Sequence, residues 1–215
     1  PMMAQNGEFD LSVEGKSARG AQPHFGQDAL LASSALIQAY HTIVSRDIDP
    51  LSPAVVTIGM IQGGEARNII PQTVTLSGTL RSFDPVFYAR IKERMHQIDQ
   101  GIAVAYNVKV HNDIRDYYPP VINDTSLYRL ASSVLGEEGV HPLQPMMVAE
   151  DFAFYQQKYP GLMVMLGTRN EELGYIHPLH SCYFNFREEV LLQGIGYYLS
   201  ILQASGAFWD EGSDI

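Results

Sequence analysis

A chain of 215 residues with 46% hydrophobic content is long enough for one large domain or two small ones, each with a packed core. With 14 basic and 24 acidic residues, the net charge of -10 argues against nucleic acid and anionic membrane surfaces as partners. The single Cys182 excludes an internal disulfide framework and fits a reducing compartment, so the expected location is the cytoplasm.

The chain begins Pro1-Met2-Met3, without an initiator Met, and is read as the interior of something longer. Neither a leader nor an apolar run of the roughly 20 residues that span a membrane is visible. Phe9, Leu11 and Val13 alternate with polar residues as in a half-buried strand, which stops in the turn-rich stretch from Gly15 to Gly26. Asp28 can cap a helix, and Leu30, Ser33, Ile37, Tyr40 and Val44 then recur at helical spacing, predicting an amphipathic helix from about Gln27 to Arg46. The β-branched run Val55–Ile61, the Gly63-Gly64 turn and the alternating Thr73–Leu80 predict an antiparallel pair. Asp84-Pro85 reads as a cap with proline in the first turn, followed by Phe87, Ile91, Met95, Ile98 and Ile102 on one helical face. Tyr106–Ile114 supplies a last strand. The order βαββαβ is that of a ferredoxin-like unit, complete by about Tyr118.

Tyr117-Tyr118-Pro119-Pro120 is the expected boundary, because consecutive prolines cannot continue a strand ladder. Beyond it, helices are expected at Thr125–Leu135, Glu150–Gln157 and Glu188–Leu202, with one apolar strand at Leu162–Leu166. Leu191, Ile195, Tyr198 and Leu202 are expected to form the buried stripe of the last helix. These pieces do not make a self-sufficient sheet domain; residues 207–215 are a tail, expected to fray from Asp210 to Ile215.

No phosphate-binding glycine loop, nucleophile elbow or helical zincin motif is present. His177-Pro178-Leu179-His180-Ser181 could bring a neutral imidazole to zinc or manganese, or could be a polar surface loop. Glu150-Asp151 could face a cleft, or one carboxylate could cap the following helix. Asn68 could present its amide to a ligand or shape a turn, and Arg81 could clamp a carboxylate or sit solvated. His24, after Pro23, reads as an ordinary exposed loop histidine.

Taken in order, these segments resemble the co-catalytic metal amidohydrolases that include aminoacylases, hippurate hydrolases, N-acetyl-diaminopimelate deacetylases and auxin-conjugate hydrolases. The resemblance rests on six segments. In the first half these are Gly15-Lys16-Ser17-Ala18-Arg19-Gly20-Ala21-Gln22-Pro23-His24, Gly64-Glu65-Ala66-Arg67-Asn68-Ile69-Ile70-Pro71 and Gly78-Thr79-Leu80-Arg81. In the second half they are Ala149-Glu150-Asp151-Phe152, Leu166-Gly167-Thr168 and Leu179-His180-Ser181 with Phe184. It implies an α+β protein: a ferredoxin-like lid over residues 7–118 that pairs across a homodimer, then the carboxy-terminal part of an α/β metal-binding catalytic domain over 119–206. It further implies two divalent ions, zinc or manganese, whose shared water attacks the amide of an N-acyl amino acid or small peptide. Under this resemblance His180 matches the last metal ligand. Asn68 and Arg81 match substrate-binding lid positions, with His24 a weaker candidate, and Glu150-Asp151 matches a catalytic-domain motif.

Two departures accompany the match. Arg19 stands where the family carries the histidine that stabilises the oxyanion in the partner's site; it can donate hydrogen bonds but stays protonated and cannot act as acid or base. Cys182 replaces the usual proline after His-Ser. The family's amino-terminal half, with most metal ligands and the general base, is not in this sequence, so hydrolysis by this chain alone is not expected. The alternatives are a catalytically silent dimerisation module and a ferredoxin-like nucleic-acid binder, the latter opposed by the net charge.

Overall fold

The computed structural model describes residues 1–136 and 139–206; the tail 207–215, with the fraying expected from Asp210, lies outside the described residues. The chain is a mixed helix-and-sheet protein that divides into two compact units, Pro1–Ile122 with Gln144–Lys158, and Asn123–Leu143 with Tyr159–Ile215.

The first unit is built on a four-stranded antiparallel sheet. Its strands are β1 (Gln5–Glu14), β3 (Ala54–Gly63), β5 (Thr73–Ser82) and β6 (Lys109–Asp116), in the order β3-β5-β1-β6. A second, two-stranded ladder joins β2 (Ala18–Arg19) to β4 (Ile69–Ile70). Phe9, Leu11 and Val13 on β1 are buried with Val74, Leu76 and Leu80 on β5, so strict alternation turns one face of the sheet to the core.

Two helices cover that face. Helix α1 (Ala29–Thr42) begins where the Asp28 carboxylate accepts from the Leu30 and Leu31 amides at 3.0 Å, and a single π turn, Ile43–Asp47, follows it. Its buried face is Ala29, Ala32, Ser33, Leu36 and Tyr40, whereas Leu30, expected on that face, is 47% exposed. The small side chains at 29, 32 and 33 are fully buried in its place. Helix α2 (Pro85–Tyr106) starts at Asp84, whose carboxylate accepts from the Val86 amide at 2.7 Å. It ends at Asn107, whose left-handed backbone (φ 54°) closes the last turn. Tyr88, Ile91 and Met95 are its buried apolar residues.

One polar cluster lies inside this core. Tyr40 Oη donates to Asp99 at 2.6 Å, and Asn112 Nδ2 donates to Asp99 at 2.8 Å and to Tyr40 Oη at 3.0 Å, tying α1, α2 and β6 together. Burial pushes the Asp99 carboxyl above the usual carboxylate range despite these donors, and pushes the Tyr40 hydroxyl up as well.

Gln144–Lys158, distant in sequence, joins this unit through main-chain bonds: Met146 N donates to Met2 O, and Ala4 N to Val148 O, both at 2.9 Å. The short helix α4 (Phe152–Gln156) belongs to this segment. Tyr118 meets Phe154 edge-on at 5.8 Å, and the Gln156 side chain accepts from the Ile122 amide at 3.0 Å.

The second unit is thinner. Helix α3 (Thr125–Leu135) is capped by Asp124, which accepts from the Ser126 and Leu127 amides at 2.9 Å, and α5 (Glu189–Ala204) packs against it. Two expectations are corrected here. Leu162–Leu166 forms no ladder, and Val164, Met165 and Leu166 are 43%, 42% and 46% exposed. The stripe Leu191, Ile195, Tyr198 and Leu202 is 54%, 55%, 67% and 46% exposed, and α5 buries no residue. A strand needs a neighbouring strand and a helix stripe needs an apolar surface; among the described residues of this unit neither is supplied. No described helix is long and apolar enough to cross a membrane.

Candidate substrate-facing site

Two clusters of candidate residues form at opposite ends of the sheet. At the first, the chain leaves β1 at Glu14 and makes a closed loop: Lys16 and Gln27 exchange both main-chain hydrogen bonds, at 3.0 and 2.9 Å. Glycine is required at both feet of this loop. A Cβ on Gly15 would overlap the Gln27 carbonyl oxygen, and one on Gly26 would lie 2.8 Å from the Ala18 side chain and from Lys16 O. Within the loop, Arg19 pairs with Ile69 across the β2–β4 ladder, and Gly20 N donates to Asn68 O at 2.8 Å. His24 sits in a single 3-10 turn, Pro23–Phe25, its ring 4.1 Å from that of Phe25. The structure therefore brings Arg19, His24 and Asn68 together on adjoining loops, all three exposed.

Arg81 is on β5 at the other end. From Thr73, beside those loops, to Arg81 the strand runs about 26 Å at roughly 3.3 Å per residue. Arg81 is half-buried, opposite Asn6 on β1 and Val55 on β3, and its guanidinium donates to Met147 O at 2.9 Å. That bond holds Arg81 to the segment carrying Glu150 and Asp151. Asp151 stands at the start of α4 but makes no side-chain cap; the Glu150 carboxylate instead accepts from the Asp151 amide at 3.1 Å. Capping therefore does not occupy Asp151, and sequence spacing gave no sign of the Met147 carbonyl as the Arg81 partner.

His180 lies in the second unit, exposed, in a turn where Ser181 N donates to Pro178 O at 3.2 Å. Its backbone is left-handed (φ 69°), uncommon for a residue with a side chain and a conformation that turns or functional loops impose. His177, the other histidine of the motif, packs its ring 5.4 Å from Tyr183. Among the described residues, no three His, Cys, Asp or Glu side chains converge where a metal ion could be held. Since each metal needs roughly four ligands, the donor set of this chain does not fit a dinuclear centre by itself.

Residues 7–204 match the Peptidase family M20/M25/M40. The chain belongs to that family. Among the M20 relatives are IAA-amino acid hydrolase ILR1-like 4 of Arabidopsis thaliana, 35% identical over 94% of this chain and 48% of its own length, and N-acetyl-L-cysteine deacetylase of Bacillus subtilis, 35% identical over 93% and 47%. The chain thus spans about half the length of the curated relatives it matches. Among solved structures, an aminohydrolase from methicillin-resistant Staphylococcus aureus aligns with a TM-score of 0.87 at 29% identity, over 95% of this chain and 53% of that one. A dinuclear metal-binding peptidase of the M20 family from Bacillus subtilis aligns with a TM-score of 0.75 at 27% identity, over 95% and 51%. M20 membership makes this chain part of a hydrolase family whose solved members include a dinuclear metal enzyme.

Proposed function

We propose that this chain is the lid and carboxy-terminal catalytic portion of a metal-dependent M20 amidohydrolase that cleaves the amide bond of N-acyl amino acids or small peptides. In this reading residues 7–118 are the ferredoxin-like lid, residues 119–206 belong to the catalytic domain, and two lids pair in a homodimer. The observation that carries it is the division of candidate residues between the sheet ends. Arg19, His24 and Asn68 share one end, and Arg81 with Glu150 and Asp151 the other, about 26 Å away by strand rise. No single small substrate reaches both ends of one chain. Two copies with opposed lids would place Arg19 and Asn68 of one beside Arg81 of the other.

Within such a site Arg81 binds the carboxylate of the amino acid, since its planar fork suits a carboxylate and one donor is already fixed by Met147 O. Asn68 donates to the acyl carbonyl, and Arg19 donates to the oxygen on which negative charge develops. Two divalent ions, zinc or manganese, would be held mainly by an amino-terminal half and would supply an activated water; His180 is the one ligand this chain would lend. The exposed apolar surface of α5 and of Leu162–Leu166 fits the same reading, as surface covered by the rest of an α/β domain in proteins about twice this length.

Arg19 also favours a second reading, a dimerisation module of the family that has lost its chemistry. One experiment separates them: hydrolysis of N-acetyl and N-benzoyl amino acids with added zinc or manganese, by this chain alone and by the chain joined to the amino-terminal half of an M20 relative. Turnover only in the joined protein is the expected result. No turnover in a joined protein that folds, dimerises and binds metal overturns the catalytic reading, and Arg19→His that then restores turnover assigns the loss to Arg19.

A further inference from the structure

Five basic residues of the first unit have a partner. Arg90, Lys92, Arg94 and Arg115 pair with Glu93, Asp116, Asp47 and Asp10 respectively, and Arg81 is bonded to Met147 O. Among the described residues Arg46, Lys109 and Lys158 make no ion pair, and neither do Lys16, Arg19 and Arg67, all three exposed. Lys16, Arg19 and Arg67 occur in two loops, Gly15–Gln27 and Gly63–Gln72, that the β2–β4 ladder and the bond from Gly20 N to Asn68 O hold against each other. The two loops contain these three cations and one acid, Glu65, a local balance of +3 − 1 = +2 in a chain of net charge -10.

We infer that this end of the sheet recognises a carboxylate, and that Arg19 selects substrates whose acyl group carries one, as in N-succinyl rather than N-acetyl amino acids. This rests on the reading above, in which the Arg19 end faces the acyl side of the substrate and Arg81 the amino acid side. Arg19 keeps its charge at every working pH and presents five N–H donors in a planar fork, so it can take a carboxylate bidentately and still keep a donor for the developing oxyanion. A histidine at that position would be largely neutral at pH 7 and would supply one donor, which suits a neutral acyl group. Lys16 and Arg67 add attraction of longer range, screened by salt. Exposed Phe25, at 59%, and Ile69, at 45%, flank the cations and offer apolar contact to the methylenes between carbonyl and carboxylate.

The test uses this chain as it stands, 15N-labelled, titrated with succinate and, as controls, dimethyl succinate, which has no carboxylate, and chloride. Succinate is expected to shift the amides of Arg19, Gly20 and Asn68 with saturation. Arg19→Ala should weaken binding at least tenfold, Arg19→Lys several-fold because it keeps the charge and loses the fork, and Arg67→Ala a few-fold. Arg187→Ala, in the second unit, should have no effect. Equal shifts with chloride, shifts scattered over the surface, or succinate binding unchanged in Arg19→Ala each overturn the proposal. So does an Arg19→Ala chain that merely falls from dimer to monomer with succinate affinity retained. In the joined protein the two readings part: turnover of N-acetyl substrates with no preference for N-succinyl ones sinks this inference alone, whereas turnover of neither sinks the amidohydrolase reading, while succinate binding by the isolated chain still decides the carboxylate site.

Discussion

The two units use similar helices and reach different ends. In the first, α1 and α2 each bury a face against the sheet, and Phe9, Leu11, Leu36, Leu80, Ile91 and Met95 are at most 2% exposed. In the second, α5 is as apolar as either, yet Ile195 and Tyr198 are 55% and 67% exposed, and Ala131 is the one buried apolar residue among those described. Periodicity makes a helix in both cases; burial requires a complementary surface, which among the described residues the first unit supplies. The first unit thus carries candidate residues at both ends of a packed sheet, whereas α5 of the second buries no residue.

The largest effect that would sharpen this contrast is in the first core. Leu11→Ala or Ile91→Ala should destabilise the first unit by about 2–5 kcal/mol through lost burial and an unfilled cavity, read by urea unfolding. Ile195→Ala and Leu199→Ala should change stability by less than about 0.5 kcal/mol, because neither side chain leaves a packed site. A loss at Ile195 equal to that at Leu11 would break the comparison.

Next in size is the buried polar cluster. Tyr40→Phe removes the donor to a carboxylate that is 4% exposed and should cost about 1–3 kcal/mol. A change under about 0.3 kcal/mol would mean that Asp99 does not depend on it.

A smaller effect concerns pH. Because burial raises the Asp99 carboxyl above its ordinary 3.8, the folded state holds that proton more tightly than the unfolded chain does. The resulting stability is whole below that ordinary value and is lost as pH rises through the raised folded value. Asp99→Asn should therefore flatten the fall in stability over this window while keeping an acceptor for Tyr40. Unfolding midpoints between pH 3 and pH 8, about the range that brackets the titration, would check it, and an unchanged slope would contradict it.

Much of the first unit is legible from residues alone. The alternation of Phe9, Leu11 and Val13 and the caps Asp28 and Asp84 place its strands and helices because local pattern and final burial agree there. The face of α1 is not legible in the same way: Leu30 and Ile37 have helical spacing, but so do Ala29, Ala32, Ser33 and Leu36, and only the sheet's proximity chooses between them. Leu162–Leu166 and the α5 stripe misled because apolar sequence reports what a segment needs, not whether the chain supplies it. For the site, the juxtaposition of Arg19 with Asn68 depends on a two-residue ladder that no propensity marks, and composition does not tell which cations, Lys16 and Arg67 among them, make no ion pair among the described residues. The acid-free stretch from Gly15 to Gln27 was the available signal for that patch.

The most direct test of the account is subunit mixing in the joined protein. Arg19→Ala and Arg81→Ala should each be nearly inactive as homodimers, since each removes one end of every site. Mixed in equal amounts and allowed to exchange subunits, they should recover about one quarter of the unmodified activity, because half the dimers are mixed and each holds one intact site of two. No recovery, with mixed dimers shown by mass, would contradict a site assembled from opposite sheet ends of two copies.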